Sequence, residues 1–147
     1  MPANLRKAEA DYADLTSRGT AGRLALASTV EDAVREADIA VDFVPDELES
    51  KLEIFSMIDR MAPPKTILCT PSEALSITDL ASCVYRPERC IAVRGKLAGG
   101  SAVRLIYPAV AAEATLVAVE RFLRALGIDA RREFDPDVPA LMKNALA

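Results

Sequence analysis

No histidine occurs among the 147 residues. That absence excludes every Ser-His-Asp, Cys-His or His-Asp mechanism carried by this chain alone, and removes the commonest metal ligand. Cysteine is scarce, and Cys69, Cys83 and Cys90 make an odd set without a C-x-x-C pair. No disulfide framework and no metal site is therefore expected. Cys69 and Cys90 lie in apolar, strand-like runs and read as buried, inert small hydrophobes. No apolar run approaches the ~18 residues of a membrane span. The start, Met1 to Lys7, lacks the charged end and apolar stretch of a signal peptide, so a cytoplasmic location without membrane contact is the expectation. Excess positive charge is missing too: a net charge of −4 argues against a dedicated nucleic-acid binder.

What remains is ordinary globular material, about half apolar (51%) and a quarter charged (27%), long enough for one core. Without repeats or low-complexity linkers, residues 1–147 read as one domain, with an N-terminal helix and turn over 1–22 and a tail over 135–147. Asn4 to Arg18 has Leu5, Ala8, Tyr12 and Leu15 at helical spacing, with Gly19 at the stop. Its Arg6 and Lys7 read as a solvated face. Arg23 to Ser28 reads as a short strand. Ser28 or Thr29 can cap the helix Val30–Ala37, Ser28 with Glu31 fitting a capping box.

Ile39 to Val44 is nearly continuously apolar, as a parallel strand covered on both faces requires, and Pro45 ends it. Leu48, Leu52, Phe55, Ile58 and Met61 mark a helix from about Glu47 to Met61, broken by Pro63-Pro64. Thr66–Thr70 is the next strand, followed by a capped helix opening at Ser76. Cys90–Val93 and Val103–Tyr107 are further apolar runs. Ala112–Leu126 is an amphipathic helix with Gly127 as its C′ residue, and Ile128–Phe134 reads as a last edge strand. Strands alternating with helices predict βαβ units. The fold class is α/β: an incomplete Rossmann-like fold with a mostly parallel sheet of five to six strands flanked by helices.

Six fragments between Arg23 and Gly127 carry a resemblance. They are Ala33-Val34-Arg35-Glu36-Ala37-Asp38-Ile39-Ala40-Val41, Val44-Pro45-Asp46-Glu47-Leu48-Glu49-Ser50-Lys51, Pro63-Pro64-Lys65-Thr66-Ile67-Leu68, Leu75-Ser76-Ile77-Thr78-Asp79-Leu80-Ala81, Arg86-Pro87-Glu88-Arg89-Cys90-Ile91 and Phe122-Leu123-Arg124-Ala125-Leu126-Gly127. In order and spacing they resemble the 3-hydroxyacyl-CoA dehydrogenase family, which implies NAD-dependent oxidoreductase chemistry in fatty acid metabolism. The departures fall on that chemistry. The family's G-x-G-x-x-G turn, whose N–H groups hold the cofactor pyrophosphate, has no counterpart among the six glycines, and Gly19 to Gly22 reads as a turn after a helix.

By the same resemblance the catalytic histidine falls on Arg94, the asparagine of its H-F-F-N-P motif near Leu97, and the glutamate that orients the histidine on Asp46. Arginine stays protonated and accepts no hydrogen bond, so it cannot take the hydroxyl proton. The family's hydroxyl-rich S-N-T-S stretch becomes Thr70-Pro71-Ser72-Glu73. Phe43, Asp46, Lys51 and Glu73 are the implied cofactor-side residues, Lys51 being the nicotinamide-side contact matched without change. Asp46 and Lys51 read as an ordinary surface pair. Asp135-Pro136-Asp137, with Asn144 beyond, resembles the junction to the family's helical domain.

The resemblance implies an exposed sheet edge where the family's first strand would lie. Two repairs are expected: Arg23–Ser28 moving in beside Ile39–Val44, or a homo-oligomer or partner chain covering the edge. Three functions follow: a degenerate domain, inactive alone and without cofactor, serving as a binding or assembly module; a subunit or fragment of such a dehydrogenase completed by another chain, with NAD as its cofactor and 3-hydroxyacyl-CoA oxidation restored; and a binder of an acyl-CoA or small anion through Arg94, Lys96 and Arg104.

Overall fold

A computed structural model describes residues 3–17 and 22–137. Gly19 with its turn, and the tail beyond Asp137 including Asn144, lie outside the described residues. The first helix, α1, spans Ala3–Ser17. Leu5, Ala8 and Tyr12 are its half-buried stripe, as the spacing predicts. Lys7 pairs with Asp11 at 2.6 Å.

Residues 22–27 form no strand, and the strand expected over Arg23–Ser28 is a correction. They precede α2 (Val30–Val34), whose cap is Thr29 alone: its side chain accepts from Asp32 N at 3.1 Å, in place of the Ser28–Glu31 box. Then come β1 (Ile39–Val41), α3 (Leu48–Met61), β2 (Ile67–Pro71), α4 (Ile77–Ala81), a 3₁₀ turn (Pro87–Arg89), β3 (Cys90–Arg94), β4 (Ala102–Tyr107), α5 (Glu113–Ala125) and β5 (Asp129–Phe134). Ser76 caps α4 through Asp79 N. Gly127, at φ 75°, sits at C′ of α5. Its N–H reaches Arg124 O at 2.9 Å and that of Ile128 reaches Leu123 O at 2.9 Å, the paired bonds of a Schellman end.

The five strands lie in the order β1-β2-β3-β4-β5. β1, β2 and β3 run parallel, β4 is antiparallel to β3, and β5 is parallel to β4. Each face of the sheet carries its own core. Phe55, Ile58, Leu68, Ile77 and Leu80 pack on the side of α3 and α4; Ile67, Ile91, Leu105, Val119 and Leu123 pack on the side of α5. Burial on both faces is why the central strands read as continuous apolar runs.

Among the described residues β1 is an edge strand whose one partner is β2, so Arg23–Ser28 has not moved in beside it. A strand is held by a ladder of peptide bonds, and β1 is only three residues long. Asp42 N bonds Cys69 O, and Ile67 N bonds Asp38 O. Alternation therefore turns the peptide groups of Ile39 and Val41 outward, and residues 22–27 form no ladder with them. Pro45 and the exit of Phe43 toward solvent, where it is 75% exposed, shorten the strand from the expected Val44.

Candidate functional site

The carboxyl ends of the parallel strands β1, β2 and β3 meet at one rim of the sheet, where ligands of doubly wound α/β proteins sit. Loop 72–75, leaving β2, is the hub. Asp46, carried there by the turn at Pro45, accepts from Ser72 Oγ at 2.7 Å and from Glu73 N at 2.9 Å. Ser72 Oγ in turn accepts from Leu75 N at 3.1 Å. Arg94, ending β3, donates from Nη2 to Leu75 O at 3.0 Å. Glu73 Oε1 faces Gly95 N at 3.4 Å. Gly95, at φ 123°, has Val103 Cγ1 within 3.1 Å of where a Cβ would stand, so no larger residue fits that turn unstrained.

Partial burial works to raise the Asp46 pKa, but the bonds from Ser72 and Glu73, with the charges of Lys51 and Arg94, bring it below the usual carboxylate value. The two positions that the family resemblance expects at a catalytic dyad thus hold a carboxylate favoured in its ionised form and a guanidinium. Neither is a base near neutral pH.

Lys51 lies elsewhere. It is 1% exposed, and its Nζ stands 2.8 Å from Asp42 Oδ1 inside the protein. The expected Asp46–Lys51 surface pair is therefore a correction: Lys51 acts on Asp46 only through its charge. Asp42 is the ionic residue that sequence reasoning missed. Two signals were available: an aspartate inside an apolar strand, and a lysine on the helix face of Leu48, Phe55 and Ile58. Asp42 Oδ2 and Thr70 Oγ1, on adjoining strand ends, are buried without a partner.

Of the three anion candidates, register joins two. Arg94 is directly opposite Arg104 across β3 and β4; Lys96 follows Gly95 and is exposed outside that pairing. Arg104 meets Glu133 at 3.2 Å. Arg131, opposite Arg104 on β5, was not foreseen. The cysteines take no part: burial, with the Asp42 charge adding, pushes the Cys69 thiol up to about 12, and burial raises Cys90 and Cys83 as well. Among the described residues no group of His, Cys, Asp or Glu is placed to hold a metal ion, and no helix is long and apolar enough to cross a membrane.

A dinucleotide finds only part of what it needs here. Phe43 and Glu73 line the outer rim, but the Lys51 ammonium is enclosed and held by Asp42. No glycine-rich turn from a strand into a helix occurs among the described residues. These residues do not by themselves fit the cofactor.

Residues 3–94 match the family model described as 3-hydroxyacyl-CoA dehydrogenase, NAD binding domain. A probable 3-hydroxybutyryl-CoA dehydrogenase of Bacillus subtilis is 36% identical over 69 residues, 47% of this chain and 24% of that protein. An L-carnitine dehydrogenase of Burkholderia mallei is 34% identical over 81 residues, 55% of this chain and 25% of that protein. The chain thus spans about a quarter of the length of these relatives. The solved 3-hydroxybutyryl-CoA dehydrogenase of Escherichia coli superposes with a TM-score of 0.73 at 21% identity, over 90% of this chain and 31% of that one, a likeness of fold.

Proposed function

The chain belongs to the 3-hydroxyacyl-CoA dehydrogenase family, within its NAD-binding domain, and from that premise we propose that these 147 residues are catalytically silent alone and act as an assembly module. The free edge of β1 is the surface that works: it takes a parallel strand supplied from outside these residues, from the cofactor-binding half of such a domain.

One observation carries this reading. β1 has outward peptide groups at Ile39 and Val41 and an apolar cleft on each face. The first, of about 340 Å³, lies between β1 and α2–α3 near Val34, Ala40 and Ile58; the second, also about 340 Å³, lies between Phe43, Cys69, Phe122 and Leu126. A strand added there would bury side chains on both of its faces, the requirement for a central parallel strand. Arg94 in place of a base supports catalytic silence.

The test mixes the chain with the strand–glycine-turn–helix segment of the Bacillus subtilis relative, reading complex formation by calorimetry and NADH by fluorescence. Association with the segment, lost in Val41→Pro, is the expected result. Proline there removes an outward N–H while leaving the ladder to β2 intact. Saturable NADH binding by the chain alone, or binding undiminished by the proline, sinks the reading. Turnover of a 3-hydroxyacyl-CoA by the mixture would replace it with that of an enzyme subunit completed by its partner.

A further inference from the structure

Three arginines stand in line across β3, β4 and β5. The antiparallel register sets Arg94 opposite Arg104, and the parallel register sets Arg104 opposite Arg131. Directly opposed residues share a face, and neighbouring strands lie about 4.8 Å apart. The three side chains therefore leave the same face of the sheet in a row. It is the α3–α4 side: Arg94 reaches Leu75 O there, and Ile106, two residues beyond Arg104, belongs to that core. Past Ile106 the face is bare among the described residues, with Ala102, Arg104, Asp129, Arg131 and Glu133 all exposed.

Like charges placed directly opposite one another in a sheet are unfavourable. The compensation present is incomplete. Glu133 meets Arg104 at 3.2 Å, and Asp46 feels the charge of Arg94. Arg131 makes no ion pair among the described residues, and Arg94 Nε is buried without a hydrogen-bond partner. Arg94 is the anchored end of the row, its Nη2 bonded to Leu75 O, while Arg104, beside Glu133, and Arg131 are exposed.

We infer that Arg104 and Arg131, with Arg94 behind them, form a binding site for a phosphomonoester-type dianion on the open face of β3–β5. Two guanidinium forks about one strand spacing apart match an oxyanion that carries two charges and several acceptor oxygens. A carboxylate would neutralise only one of them. Glu133 occupies part of the site until the ligand displaces it from Arg104. This inference stands apart from the assembly reading, since the row lies on the far side of the sheet from β1.

The test is a titration of the isotope-labelled full chain with inorganic phosphate and with glycerol 3-phosphate at constant ionic strength, read by NMR on backbone amides and arginine Nε–H groups. Saturable shifts centred on residues 94, 104 and 131 are expected. Arg131→Gln should weaken binding about tenfold, the worth of one charge-assisted bond. Glu133→Gln should tighten it, and Lys96→Gln should leave it unchanged. The inference is overturned by shifts that grow linearly without saturation, by Lys96→Gln losing as much as Arg131→Gln, or by acetate binding as well as phosphate. All three variants lie on the surface, so folding does not obscure the answer.

Discussion

Lys51 and Asp42 show how one residue pair changes meaning between sequence and structure. The lysine matched a cofactor contact by its place in V-P-x-x-x-x-x-K, yet it also lies on the buried stripe of α3, and its charge is met by Asp42, the one acid in the apolar run from Ile39 to Val44. An ion pair at 1% and 2% side-chain exposure cannot be broken cheaply, because the survivor is left charged in a dry site. Lys51→Ala should lower unfolding free energy by about 3–5 kcal/mol. The double replacement Lys51→Met with Asp42→Leu should return to within about 1 kcal/mol of the parent, since a well-packed apolar pair often matches a buried ionic one. Urea unfolding at neutral pH measures both. A single variant as stable as the parent would show that the pair is not enclosed as described.

At the scale of elements, most boundaries were legible because each is fixed by local chemistry: Ser76 and Thr29 as caps, Gly127 as a left-handed stop, Pro45 and Pro63 as breaks. Arg23–Ser28 was not, since a short apolar run, Leu24 to Ala27, says nothing of whether a ladder partner exists. Arg86-Pro87-Glu88-Arg89 was visible as a motif while its work was not. Arg86 closes the end of α3: Nε meets Asp59 Oδ1 at 2.9 Å, Nη2 donates to Asp59 O and Ala62 O, and Nη1 to Pro63 O and Thr66 O. These are carbonyls that a helix end and the following turn leave without intrahelical partners. Thermal or urea unfolding of Arg86→Ala should show a loss of about 3–5 kcal/mol, as for a broken buried charge network. Arg86→Lys should recover only a minor part, because an ammonium keeps the charge but not the planar fork. Full rescue by lysine would mean that charge alone, not geometry, holds α3.

For the whole molecule, the lack of histidine reaches beyond catalysis. Histidine is the side chain whose ordinary pKa falls between about 5 and 8, and the shifted groups here do not fill that gap. Cys69 is pushed up to about 12. Asp135, from the end of β5, is held below its usual value: burial opposes ionisation, but Thr78 N and Oγ1, Asp137 N and Ser76 Oγ all donate to it. Asp46 is lowered in the same way by Ser72 and Glu73. Each folded pKa lies below the unfolded value of about 3.9, so folding favours the ionised form. The stability they contribute is complete above about pH 5 and is lost as pH falls through the folded values. Stability plotted against pH should therefore be flat, within about 1 kcal/mol, from about pH 5.5 to 8 and fall only on the acid side. Asp135→Asn should lower the plateau and make the acid limb shallower, because the proton that drives unfolding there has one fewer site to occupy. A parent profile sloping through neutrality, or an acid limb that Asp135→Asn leaves as steep as before, would place the pH-sensitive group elsewhere.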